Sequence, residues 1–495
     1  MFKPYLQHQL LTHILHYPLQ LSTVIVLAVA LTGCAIGPDY RPPAMPESAV
    51  GHFVTQIEGV DEMTPLPSEW WKLYNDPVLN GLIRDAFAAN TDLRVSLANL
   101  ERAQEIFNEA NSGLFPSTTT SGGVSNGRDQ TSWSGTGQAP RQWSYSGGLE
   151  VSYELDLFGR VRRDIEAAHY NTDAVAAAHD AVRVIVAAET TRAYVDICTL
   201  GEAIAVARFS IELANQSLRI VRDQQRAGSA SRLDVKRAGV SQAQAEAALP
   251  PLQGRREAAL FELAALTGRT PAQVPGIVRT CVKAPEITHP LPVGDGTALL
   301  RRRPDVRQAE RQLAVATARI GVSVADLYPH INLGTSGAYL RNDSLKGDRT
   351  LSFAVGPLIS WTFPNISVAR SRVAQAKAES AATLATFDGV VLTALKEIEQ
   401  ALAGYGATLK ERGALIEARD SAEQAYELAD QRYRSGSISY LDVIVAQTVF
   451  IDAKAQVATV DQRVGSARVS VFKALGGGWK NADTWTGNLT GSPDG

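Results

Sequence analysis

The octapeptides GSASRLDV (Gly228–Val235) and GSISYLDV (Gly436–Val443) differ at two positions and lie 208 residues apart in a chain of 495. At the same offset, Ser152 and Tyr153 recur as Ser360 and Trp361. Nearer the N-terminus, Asp92-Leu93-Arg94 and Leu114-Phe115-Pro116 recur as Asp305-Val306-Arg307 and Leu327-Tyr328-Pro329, now 213 residues on. Two Ala-rich helical regions that matched by composition alone would not hold one offset through strands and turns, so the chain is an internal duplication. The change of offset places a loop of unequal length between Pro116 and Ser152.

Each copy reads as helix, strand pair, very long helix, tight Gly turn and returning helix. The first copy (91–280) has a helix over Thr91 to Ser112, a hairpin over 117–157, a long helix over 161–225 and a return helix over 233–267. The return helix is expected to break at Pro250 and Pro251, which lack the N–H a helix interior needs. The second copy (305–478) repeats this with a hairpin over 330–363, a long helix over 368–433 and a return helix over 441–475. A Pro-free run of 65 residues extends roughly 98 Å as a helix, longer than a compact domain requires. In the second run Leu384, Phe387, Val391, Leu395, Ile398, Leu402, Tyr405 and Leu409 fall at steps of three and four, a coiled-coil-like seam. The abundant Ala between them lets neighbours approach on several sides, as in a tube of helices, although a dimeric coiled coil would give the same seam.

From Trp143 the odd positions Trp143, Tyr145, Leu149, Val151, Tyr153, Leu155 and Leu157 are apolar. The even positions Ser144, Ser146, Glu150, Ser152, Glu154 and Asp156 are polar. Leu351, Phe353, Val355, Pro357, Ile359, Trp361 and Phe363 repeat the odd face. Strands of this length with one apolar and one polar face suit a transmembrane barrel, and also a half-buried soluble sandwich. Two hairpins supply four strands, whereas the narrowest membrane barrels use eight, so a barrel must be shared between subunits. Two, three or four copies all remain open; twelve strands leave room for a lumen lined by Ser and by Glu150, Glu154 and Asp156.

The N-terminal 33 residues carry an apolar run, Val24 to Leu31, followed by Thr32, Gly33 and Cys34. This is a secretory signal, and LTGC resembles the lipobox of bacterial lipoproteins. That resemblance makes Cys34 the mature N-terminus, carrying an N-acyl group and an S-diacylglycerol, with Ala35 favouring sorting to the outer membrane. No later run of 18 consecutive apolar residues exists, so any further crossing must use strands. A linker and equatorial segment (34–90), an inter-repeat linker (281–304) and a C-terminal tail (479–495) complete the chain. Its 45% hydrophobic and 20% charged residues are those of a folded protein, and a net charge of −3 points to no nucleic-acid partner. Neither H-E-x-x-H, Walker A nor G-x-S-x-G occurs, and no Cys/His cluster has metal-ligand spacing, so neither an enzyme nor a cofactor is expected. His52, His169, His179, His289 and His330 are scattered and read as packing or surface residues.

Several stretches in order resemble the TolC-like outer-membrane factors, and within them the NodT-type lipoproteins of RND drug efflux pumps. They are Cys34 with Gly37-Pro38-Asp39-Tyr40, Trp70-Trp71 with Asp76-Pro77, the paired G-x-x-x-x-L-D-V turns, Arg301 to Asp305 (RRRPD) and Leu327-Tyr328-Pro329. The resemblance covers Cys34 to about Gly478. It implies a mainly α protein with membrane β. In that fold a homotrimer shares a twelve-stranded barrel, continued by a periplasmic helical barrel with a mixed equatorial region. Partners implied are a periplasmic membrane-fusion adaptor, an inner-membrane RND-type pump and outer-membrane lipid of a Gram-negative bacterium. Such a duct passes small molecules out passively and is gated at its periplasmic tips.

The turns at Gly228 and Gly436 end the long helices, and Ser231 with Asp234, and Ser439 with Asp442, fit the S-x-x-D capping box. The resemblance adds a gate role for Asp442, Asp234 and Tyr433. It also assigns adaptor contact to Gly228, Ser229, Gly436 and Ser437. Ile438 and Val445 depart from the family's best-known gate, which has a basic residue and a carboxylate there. Cys198 and Cys281 lie at similar distances from the Gly228 turn, and either a disulfide or two buried thiols fits them. Arg301 to Arg303 reads as a solvated helix start. The competing reading of the whole chain is a lipid-anchored periplasmic coiled-coil adaptor or structural lipoprotein without a pore, which would have no use for lipid-facing strands.

Overall fold

A computed structural model describes residues 35–45, 49, 51–128, 136–138, 140–343, 345–361 and 366–479. The signal segment, Cys34, Phe363 and the tail beyond Trp479 lie outside the described residues. In chain order the elements are β1 (Val60–Asp61), α1 (Pro77–Ala89), α2 (Thr91–Ser112), β2 (Ser117–Gly127), β3 (Gln142–Leu155), α3 (Arg160–Arg226) and α4 (Arg232–Leu266). There follow α5 (Gly276–Arg279), β4 (Leu291–Pro292), α6 (Gly296–Arg302), α7 (Pro304–Ala325), β5 (His330–Arg341), β6 (Leu351–Ser360), α8 (Ile366–Arg434) and α9 (Tyr440–Ala474). The duplication is visible residue by residue. Both ends of α2 map onto those of α7 at an offset of 213, and both ends of α4 map onto those of α9 at 208.

Local chemistry sets the boundaries. Asp76 accepts from Val78 N (2.7 Å) and Leu79 N (3.1 Å), with Pro77 at the first helical position of α1. Asn90 accepts from Asp92 N and Leu93 N to start α2. The 67 residues of α3 contain no Pro, and at 1.5 Å per residue extend roughly 100 Å. Contrary to the expected break, α4 runs through Pro250 and Pro251. The carbonyls those prolines leave unpaired belong to Glu246 and Ala247, which are exposed, so water can satisfy them.

The chain forms two compact units. The first comprises the N-terminal arm up to Pro43, Glu101–Ala174 and Ala309–Phe387. It holds one antiparallel sheet of order β2-β3-β5-β6. The arm is pinned within this unit. Arg163, 6% exposed, donates to Asp39 at 2.7 Å, and the Tyr40 hydroxyl donates to Glu310 at 2.6 Å. Gly37 and Gly159 both have positive φ, and a Cβ on either would strike the backbone of Gly321 or Ala35.

The second unit comprises Ala44–Leu100, Val175–Gln308 and the chain from Asp388 onward. Its core is built around Trp70, fully buried and stacked on Phe472 with ring centroids 4.5 Å apart, together with Leu79, Ile83, Ile197, Leu263 and Ile398. Cys198 in α3 is bonded to Cys281 in the inter-repeat linker, Cα to Cα 4.8 Å. The linker comes this close because residue 201 is Gly; a Cβ there would lie 2.2 Å from the Cys281 carbonyl oxygen. α9 is long and apolar enough on average to cross a membrane, but its apolarity serves this core, where Val469, Val471 and Phe472 are buried completely. The Arg301–Arg303 run is not simply a solvated helix start. Arg303 is buried and bound to Asp305 (2.6 Å) and Glu397 (2.7 Å), and Arg302 donates to the Leu66 carbonyl. Burial lowers Arg302 to about 10.

Candidate functional site

In the first unit the strand register decides which side chains share a face. Pairing Tyr145 with Arg341, Leu149 with Gly337 and Tyr153 with Leu333 puts the odd residues of β3 and β5 together. Leu333 with Pro357 and Gly337 with Phe353 add those of β6, while Tyr145 with Val124 adds β2. One face of all four strands therefore carries Val124, Trp143, Tyr145, Leu149, Leu333, Tyr339, Phe353, Val355 and Ile359. These residues are exposed: Phe353 is 88% and Val355 78% accessible. An apolar wall of this extent in contact with water is unfavourable unless lipid or protein covers it. The opposite face is Ser-, Thr-, Gly- and Glu-rich. Glu150 sits on it between Thr119 and Ser336.

The base of that polar face is charged. Glu154 accepts two bonds from Arg160, at 2.8 and 2.5 Å. Asp156 lies one residue beyond β3 and turns to the next helix, accepting from Val161 N and Arg162 N at 3.0 Å each. It thereby satisfies N–H groups that open α3.

In the second unit the long helices end in near-identical turns. Gly228 (φ 81°) and Gly436 (φ 78°) take the left-handed conformation, and Ser229 N and Ser437 N donate back to the Gln224 and Arg432 carbonyls. Ser229 and Ser437 are exposed on these turns. Asp234 accepts from Ser231 N (2.9 Å) and Oγ (2.7 Å), and Asp442 from Ser439 N (3.0 Å) and Oγ (2.8 Å), both completing capping boxes. The Ser231 bonds hold the Asp234 carboxyl below the usual carboxylate range.

Tyr433 is not joined to either aspartate in this chain. Its hydroxyl accepts from Gln224 Nε2 at 2.6 Å, and its ring meets Tyr440 edge-on at 4.9 Å. Tyr440 donates to Ser217 Oγ (3.1 Å), which donates to Gln447 Oε1 (2.5 Å). Ile438 packs against this small tip core of Leu218, Val221, Val443 and Ile444, whereas Val445 is 59% exposed. Sequence reasoning missed Gln224, Tyr440, Ser217 and Gln447. One signal was available: at the 208 offset Tyr433 and Tyr440 correspond to Gln225 and Arg232, so the copies diverge where the second gained aromatic rings.

Comparison with known proteins agrees with this geometry. The family model for outer membrane efflux proteins matches residues 82–269 and 297–477. Nodulation protein T of Rhizobium leguminosarum bv. viciae is 28% identical over 459 residues, covering 92% of each chain. The toluene efflux pump outer membrane protein TtgF of Pseudomonas putida is 30% identical over 470 residues, covering 92% of this chain and 96% of its own. Among solved structures, the outer-membrane channel OprN superposes with a TM-score of 0.81 at 32% identity, covering 90% of this chain and 100% of that one. The architecture is thus that of the TolC-like outer membrane channels. TtgF is an efflux pump outer membrane protein and OprN an outer-membrane channel, and no catalytic family is indicated.

Proposed function

The chain belongs to the outer membrane efflux protein family, and on that footing we propose that it is the exit duct of a tripartite efflux system. The observation that carries this reading is the four-stranded sheet. Its exposed apolar face, its polar opposite face and its two outer edges, which have no strand partner among the described residues, suit a segment of barrel wall that other copies close.

Three copies give twelve strands, with the apolar face toward lipid and Glu150 and Glu154 toward the lumen. Cys34, acylated, anchors the arm to outer-membrane lipid. A periplasmic adaptor docks on the turns at Gly228–Ser229 and Gly436–Ser437 and links the duct to an inner-membrane RND-type pump. Small molecules then leave passively. At the tips, copies of Asp442 brought together by symmetry form a cation-attracting constriction, with Asp234 and Tyr433 in the bonds that hold it shut.

Planar-bilayer recording of the purified full chain tests this. Discrete conductance steps are expected, with Asp442→Asn lowering cation preference. A stable trimer that never conducts, even when Gln224→Ala and Tyr433→Phe loosen the tips, would overturn the duct.

A further inference from the structure

The strands of the first unit meet α2, α3, α7 and α8 at one end, and at the far end each hairpin loop is entered and left by an arginine. Arg128 recurs as Arg341 at the offset of 213, and Arg141 as Arg349 at 208, so both repeats carry the pair although the loops between differ in length. Over 128–141 and 341–349 the sequence holds five basic residues against three acidic ones, in a chain whose net charge is −3. Lys346 lies 3.9 Å from Asp343. The four arginines have no carboxylate at ion-pair distance among the described residues. Arg128 donates to Gln138 Oε1 at 2.7 Å and Arg141 Nε to Asn126 Oδ1 at 2.5 Å, both neutral acceptors. At the helix end of the same sheet, by contrast, Arg160 and Arg162 are paired with Glu154 and Asp156.

Two of the four stand on the sheet's apolar face. Arg341, the last residue of β5, is paired with Tyr145 across the ladder and follows Tyr339 by two residues. Arg141 precedes Trp143 by two and is bonded to Asn126, which is the Cα partner of Trp143 and lies two residues beyond Val124. Both arginines are exposed. Beneath them the face presents Trp143, Tyr145 and Tyr339, then Leu149 and Phe353. Gly337, with open space where a Cβ would lie, sits between Leu149 and Phe353 and leaves a trough that an acyl chain can occupy. Trp143 to Tyr153 covers roughly 33 Å along the strand, or about 25 Å along the membrane normal at the tilt usual for outer-membrane barrels. The arginines therefore fall just outside an apolar band of ordinary bilayer height, on the side away from the helices.

We propose that Arg141 and Arg341 bind the phosphates of a phosphorylated glycolipid in the outer leaflet, because they stand without carboxylate partners just above the aromatic residues on the apolar face of the sheet. The inference rests on the duct reading, which turns that face toward lipid. A guanidinium offers a phosphate two parallel N–H donors, and beside hydrocarbon such charged bonds are stronger than in open water. Arg128 and Arg349 add positive charge around the same rim. With its phosphates held there, the lipid lays its acyl chains along Leu149, Phe353 and the trough at Gly337. A soluble anion would make only the first of these two sets of contacts.

Native mass spectrometry of the full chain, purified in detergent and incubated with bisphosphorylated lipid A or with the same lipid stripped of phosphate, tests this. The wild type is expected to retain the phosphorylated form about ten-fold more. Arg141→Gln combined with Arg341→Gln is expected to abolish that preference, and Arg141→Lys combined with Arg341→Lys to keep part of it, since the charge survives without the paired donors. An excess of inorganic phosphate is expected to leave the lipid bound. Full displacement by it would assign the site to soluble anions and overturn the proposal. Equal retention of the two lipids by the wild type, a comparison that needs no variant, would overturn it as well, as would an undiminished preference in the double glutamine variant. Each of these leaves the duct standing, because conductance in a planar bilayer is read separately. A chain that neither conducts nor inserts into vesicles removes the duct reading and this inference with it.

Discussion

Gln224 Nε2 donates to the Tyr433 hydroxyl at 2.6 Å, tying the last turn of α3 to the last turn of α8 within one chain. The same hydroxyl is the group that the closed-gate reading assigns to bonds at the tip, so one oxygen has two calls on it. Tyr433→Phe keeps the ring against Tyr440 and removes only the acceptor. The expected loss is on the order of 1 kcal/mol of local stability, about five-fold faster amide exchange at the α3 and α8 termini, with global melting unchanged. Exchange confined to wild-type rates in this variant would show that the bond contributes nothing.

The second prediction concerns acid. Because Ser231 holds the Asp234 carboxyl below its usual range, the folded tip favours the ionised form. Its stabilising contribution is complete above the ordinary aspartate value of about 3.9 and is lost as pH falls through the lower folded value. Protection of the first turn of α4, corrected for intrinsic exchange, should decline in that window, and Asp234→Asn should show low protection throughout. A variant with the wild-type pH profile would contradict this.

The stacked pair of Trp70 and Phe472 fixes the second unit's core. Trp70→Ala leaves a large void among Phe472, Trp71 and neighbouring aliphatics, and should cost about 3–5 kcal/mol. Denaturant titration of the second unit's near-ultraviolet signal measures it; a loss below 1 kcal/mol on the usual truncation scale would mean the site collapses around the gap.

Adjacent residues of β6 should respond oppositely to the same charge. Phe353→Arg places a guanidinium on the exposed apolar face, at a cost of about 2–4 kcal/mol if that position meets the bilayer midplane, and should abolish membrane assembly. Ser352→Arg lies on the other face and should assemble, shifting ion preference toward anions. Equal effects on assembly would remove the lipid-facing assignment.

Reduction of the Cys198–Cys281 bond frees a loop that closes across a sequence separation of 83 residues. The expected destabilisation is about 2–4 kcal/mol, read as a lower melting temperature with reductant, and absent in Cys198→Ala. An unchanged melting point under full reduction would assign the stability to packing around Gly201 instead.

Much of the fold was legible because it depends on periodicity. The alternation from Trp143 fixes a face without knowledge of partners, and the repeated offsets fix boundaries to within a residue or two at both ends of α3 and α9. Features that depend on tertiary neighbours were hidden. Pro250 and Pro251 signalled a break because a helix interior needs their N–H groups; the exposure of Glu246 and Ala247, which removes that need, is set by packing. Arg302 and Arg303 looked solvated until the Leu66 carbonyl and Glu397 came beside them from distant stretches of chain. The Tyr433 network joins residues more than two hundred positions apart, beyond the reach of any local motif.

The outer edges of β2 and β6 also have a genetic meaning. In the proposed duct each described edge is completed by a strand of a sister chain, so a copy with a damaged edge would harm every ring it enters. Alleles that place Pro in the middle of either strand should therefore act dominantly over an intact second copy, while alleles that prevent folding altogether should be silent beside it.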